Sequence, residues 1–135
     1  MPVVSEALRI GLEFIQRYND CFYRKDLAGL QELYAADAFV GFWDNHPDCD
    51  AIDLSDHLDA VGAFFAKGKT TESGGVEPLI IEDARARRTG DGLIVTAMLR
   101  YASAPRPGVR STFVLVRKVD VWQAAHIHHS FDPNE

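Results

Sequence analysis

Three histidines fall within four positions of "VWQAAHIHHSF" (121–131), at His126, His128 and His129. An imidazole can ligate a metal, move a proton near neutral pH, or hydrogen-bond within an ordinary strand. Two histidines two apart on a strand can share a metal, but a site needs a third ligand. His46, His57 and the carboxylates of "DNHPDCD" (44–50) supply one only through tertiary proximity. That acidic run is dense in oxygen ligands, yet it lacks the glycine and terminal glutamate of a twelve-residue calcium loop. Cys21 and Cys49 have neither metal-ligand spacing nor the number for a disulfide framework. The chain has no Ser/His/Asp nucleophile signature and no glycine-rich phosphate loop. We therefore expect no metal and no cofactor, and histidines that serve structure, an interface or proton transfer.

Strand alternation divides the histidine cluster. Trp122, Ala124, His126, His128 and Ser130 share one face of a regular strand, and Ala125, Ile127, His129 and Phe131 share the other. The second set is the more apolar, so His129 is expected to point inward and His126 and His128 outward.

The elements that position these residues follow from periodicity. Residues 5–24 read as an amphipathic helix, with Ala7, Ile10, Phe14, Tyr18 and Cys21 on one stripe and Ser5 as its N-cap. A shorter helix begins near Asp26 and buries Leu27, Leu30, Leu33 and Tyr34. "AFVGFWD" (38–44) suits a short strand, and 44–53 a loop. A third helix has Asp53 or Ser55 as cap, Leu54, Leu58, Val61 and Phe65 on its buried side, and Gly68 as its stop. From residue 73 the period changes to that of strands, with runs at 76–88, 93–103, 110–119 and 121–131. "TGDG" (89–92) is a tight turn through Asp-Gly, "APRPG" (104–108) a longer one, and Asp120 marks a third. Pro78 predicts a bulge or an edge.

Size and composition bound the function. A chain of 135 residues, 47% apolar, forms one domain with a real core. Fourteen basic against twenty acidic residues leave a net charge of −6, which disfavours nucleic acid as a partner. No apolar stretch approaches the ~20 residues that span a membrane, and the N-terminus lacks a signal-peptide pattern. The expected setting is cytoplasmic. Segregated helices and strands indicate an α+β fold with helices on one face of a curved antiparallel sheet. Both alternating sets of "LIVTAML" (93–99) are largely apolar, so the opposite face should be covered too, most simply by a second copy.

The passage "FIQRYNDCFYRKDLAGLQELYAADAFV", the meander and the terminal "WQAAHIHHSF" resemble the nuclear transport factor 2-like superfamily. That superfamily includes SnoaL-like polyketide cyclases, ketosteroid isomerases and the association domain of calcium/calmodulin-dependent kinases. The terminal pattern is most similar to the association domain. The resemblance implies a cone-shaped α+β barrel, a pocket between helices and sheet, and a dimer through the outer sheet face. Such a fold hosts unrelated functions.

The resemblance also carries roles onto residues. The isomerase hydrogen-bond donor maps to Tyr18, while the base position maps to Phe42; Asp44, two residues on, reaches the pocket only through an altered register. The arginines of the association-domain pocket map to Leu99, Phe113 and His129, which implies a mainly apolar pocket for a neutral or aromatic small molecule. Its walls would be Phe14, Trp43, Phe65, Leu99, Tyr101, Phe113 and Ile127. Tyr18, His129 and possibly Asp44 would transfer protons in isomerase, cyclase or hydratase chemistry. Arg100, Trp122, His126, His128 and Ser130 would border the homodimer seam. The competing class is a non-catalytic assembly module, in which side chains fill the cone.

Overall fold

The computed structural model describes residues 5–43, 53–67 and 79–135. Helix α1 spans Glu6–Arg24, α2 Leu27–Glu32 and α3 Leu54–Lys67; the strands are β1 Tyr34–Trp43, β2 Leu79–Thr89, β3 Gly92–Tyr101, β4 Ala104–Lys118 and β5 Val121–Phe131. Ser5 caps α1 by accepting from Leu8 N at 3.1 Å, Asp26 caps α2 through Gly29 N at 2.9 Å, and Asp53 accepts from Asp56 N at 2.8 Å. Each side chain satisfies an amide with no partner inside its own helix. Gly68 and Pro78 lie outside the described residues.

One five-stranded sheet runs in the order β1-β5-β4-β3-β2, antiparallel except for the parallel β1–β5 pair. Helices cover its concave face. Leu93, Val95, Ala97 and Leu99 of β3 are buried there, and they oppose Leu115, Phe113, Ser111 and Val109 of β4. Ile80 and Ile94 stand 47% and 39% exposed on the other face. The sheet curls strongly. Arg88 of β2 lies over the Trp122 ring of β5 at 5.7 Å, three strands away and roughly 14 Å distant in a flat sheet. The result is the cone-shaped α+β architecture. Among the described residues no helix is long and apolar enough to cross a membrane.

Four local expectations are corrected. Tyr34 begins β1 rather than ending the second helix: Leu33 O accepts from Ala124 N at 2.7 Å, and the ladder to β5 pairs Tyr34 with Ala124. The first hairpin turns on Gly90, with φ +60°, one residue before the Asp-Gly pair. The second hairpin turns tightly between Tyr101 and Ala104, so 104–108 belongs to β4. Prolines 105 and 107 cannot donate to a ladder, and the pairing is irregular there, between Leu99/Val109 and Tyr101/Ala104. Finally, β5 contains a bulge: Val114 pairs with His126 but Leu115 with Ala124, leaving Ala125 as the extra residue.

Candidate active site at the base of the cone

A chain of polar groups crosses the apolar concave face. Tyr18 Oη lies 3.0 Å from Nε2 of His129, and Nδ1 of that ring lies 2.6 Å from Ser111 Oγ. Ser111 donates to the Val109 carbonyl at 3.3 Å. All three side chains are buried. Tyr18 stands one helical turn from both Phe14 and Phe22 on the buried stripe of α1. Ser111 and His129 are direct partners across β4 and β5, beside the Phe113–Ile127 pair on the same face. Phe113 stands edge-on to Phe14, Tyr18 and the His129 ring, at 5.9, 5.2 and 5.7 Å between centroids.

The hydroxyls give this chain a direction. A serine has one proton to donate, and Ser111 gives it to Val109 O. Its oxygen can then accept from Nδ1–H of His129, the tautomer in which Nε2 accepts from Tyr18. The resemblance implied that Tyr18 donates to an oxyanion; in this tautomer its proton is directed at His129 instead. Such an arrangement can act as a base: Tyr18 would accept a proton while its own moves to Nε2.

The remaining wall residues surround this chain. Phe14, Phe65, Leu99, Phe113 and Ile127 are at most 7% exposed, and Phe65 packs edge-on against Phe22 at 5.4 Å. Tyr101 is half-buried at the end of β3. The backbone of Trp43 lies beside that of His129 in the parallel ladder. Asp44 lies outside the described residues, as do His46 and Cys49. Cys21 is half-buried, and its thiol is pushed up by burial and then by Asp26 and Asp20. Among the described residues no three metal-ligating side chains gather.

The outer-face residues divide. His126, His128 and Ser130 are half-buried opposite Val114, Thr112 and Arg110. His128 and Ser130 border a shallow depression of about 410 Å³ with Met98, Arg110 and Asp83. Trp122 departs from the expected face. The bulge at Ala125 reverses the alternation, so Ala124 is buried with Ile127 and His129, and Trp122 packs against the core beside them. Arg100 does not reach the histidines. Its Nε donates to Glu82 at 2.8 Å, and its two terminal nitrogens grip Glu135 at 2.9 and 3.0 Å.

A second buried pair escaped the sequence reading as a unit. Tyr34 Oη lies 2.9 Å from Nε2 of His57, whose ring is fully buried and edge-on to the tyrosine. His57 falls three residues after Leu54 and four before Val61, so the helical period already placed it on the buried face of α3.

Structural comparison agrees with this architecture. The hub of calcium/calmodulin-dependent kinase II from S. rosetta superposes with a TM-score of 0.70 at 18% identity, over 97% of this chain and 100% of that one. A protein of unknown function with a cystatin-like fold from Nostoc punctiforme gives 0.72 at 9% identity, over 98% and 96%. A putative calcium/calmodulin-dependent kinase II association domain from Thiobacillus denitrificans gives 0.66 at 18%, over 88% and 92%. These similarities establish the fold. No curated protein sequence matches the chain. A family model described as the SnoaL-like domain matches residues 12–133. The chain therefore belongs to the SnoaL-like domain family, within the nuclear transport factor 2-like superfamily.

Proposed function

We propose that this protein binds a small, largely apolar organic molecule in its cone and that Tyr18 contacts the molecule's hydroxyl or enol. The observation that carries this reading is the buried Tyr18–His129–Ser111 chain. An apolar core gains nothing from three buried polar side chains, since each must be hydrogen-bonded merely to avoid a desolvation cost. A directed proton path is what such a chain adds. Catalysis of the isomerase, cyclase or hydratase kind would use it to withdraw a proton, with His129 as the acceptor and Ser111 fixing its tautomer. Calorimetry with 2-naphthol and naphthalene tests the contact. The wild type should prefer the naphthol, and Tyr18→Phe should abolish that preference. An unchanged preference in the variant would remove Tyr18 from the site.

A second property accompanies this one. The sheet face opposite the helices leaves Ile80 and Ile94 exposed in the single chain, with Met98 and Val114 on the same side. We read it as the seam of a homodimer. Light scattering at micromolar concentration should give twice the 15.0 kDa of one chain, and Ile94→Arg should halve it. A wild-type monomer would contradict the seam.

A further inference from the structure

The far end of the concave face carries a second site. A cleft of about 360 Å³ opens between the first half of α1 and the terminal rows of β2, β4 and β5. That volume lies within the range of small-molecule pockets. Its apolar part is Ile10, Phe14 and Trp122, and its rim carries Arg9, Arg17, Arg88 and Arg117. Three carboxylates, Glu6, Glu13 and Asp120, also line it, so the cleft carries one excess positive charge in a chain of net −6.

The ion pairs identify where that excess charge sits. Arg9 is 3.0 Å from Glu13, Arg88 is 3.6 Å from Glu6, and Arg117 is 3.3 Å from Asp120. Arg17 forms no ion pair among the described residues, although it lies one turn beyond Glu13 on the same side of α1. Arg88 stacks over the Trp122 indole at 5.7 Å, holding an aromatic surface at the cleft. One uncompensated guanidinium and a half-buried indole lining the same cleft suit a planar monoanion. A dianion would meet the three rim carboxylates as well as the arginine.

We infer that this cleft binds a small aromatic carboxylate, its carboxylate on Arg17 and its ring against Trp122 and Ile10. Arginine recognises carboxylates through parallel N–H donors, which a carboxamide cannot match. The ring end of this cleft is distinct from the Tyr18 chain, although Phe14 borders both. His129 lies seven positions beyond Trp122 along β5, roughly 20 Å at strand rise, with the Phe14–Phe113 pair between the two ends.

Naphthalene-2-carboxylate and naphthalene-2-carboxamide, titrated calorimetrically, provide the test. The wild type should bind the acid about tenfold or more tightly than the amide, as a charge-assisted arginine contact requires. Arg17→Gln should reduce acid binding to the amide level, and its unchanged melting temperature would show that the exposed substitution leaves the fold intact. Tyr18→Phe should bind the acid as the wild type does. Equal affinity for acid and amide, no effect of Arg17→Gln, loss in Tyr18→Phe, or no binding at millimolar acid would each overturn the inference.

Discussion

Tyr18 on the first helix and His129 on the last strand meet through a 3.0 Å hydrogen bond that spans 111 positions of sequence. It ties the helical layer to the sheet within the core, where an unpaired polar atom is expensive.

Truncation at either end of this bond should therefore be costly and non-additive. Tyr18→Phe removes the hydrogen bond to Nε2 of His129, and should cost about 1–3 kcal/mol in urea unfolding. His129→Leu removes the shared partner of the Tyr18 and Ser111 hydroxyls. The double variant should lose less than the sum, by roughly 0.5–3 kcal/mol. Strictly additive losses would mean that the two residues do not share one network.

The grip of Arg100 on Glu135 predicts an acid-sensitive contribution. Bidentate bonds from Arg100, then a 2.8 Å bond from Gly108 N, hold the Glu135 carboxyl down to about 2 from an ordinary 4.5. Both side chains are about 15% exposed. A depressed carboxyl stabilises the fold above its unfolded value and loses that effect as pH falls through its folded value. The stability gap between wild type and Glu135→Gln should be constant from neutral pH to 4.5 and close between 4.5 and 2. A gap that persists at pH 2 would refute the pairing.

Val119 should be replaceable with profit. It turns the β4–β5 hairpin at φ +58° while 84% exposed. A β-branched residue is strained there, and nothing buried compensates. Val119→Gly or Val119→Asn should raise stability by about 1 kcal/mol, read as a higher melting temperature. Equal or lower stability in both variants would exclude strain at this turn.

The legible parts of the fold were those written in periodicity and caps. The stripe of α1, the Ser5 cap and the inward His129 all follow from side chains that repeat at helical or strand spacing. Trp122 was misplaced because alternation assumes an unbroken ladder, and an extra alanine at position 125 leaves no mark in that pattern. The partnership of β1 with β5 was equally silent. Its start is fixed by Leu33 O, which accepts from Ala124 N, and by Glu32 O, which accepts from the Gln123 side-chain Nε2 at 3.1 Å, a tertiary match between distant segments. Ser111 went unnoticed for a related reason. A serine in a strand signals nothing until the histidine across from it is known.

Gly11 fixes how closely α1 approaches the sheet. A Cβ added there would lie 2.8 and 2.9 Å from the two methyl carbons of Val95, closer than side chains pack. Val95 is fully buried in β3 and has no free space to yield. Two effects oppose each other in Gly11→Ala. Alanine favours the helix by about 1 kcal/mol, whereas overpacking a core costs about 1–3 kcal/mol. The clash should win, leaving the variant less stable despite its better helix former. The decisive measurement repeats the substitution in a Val95→Ala background, where both methyls are gone. There Gly11→Ala should become stabilising, by up to about 1 kcal/mol in urea unfolding. The same sign in both backgrounds would mean that Val95 does not set the approach of α1 to β3.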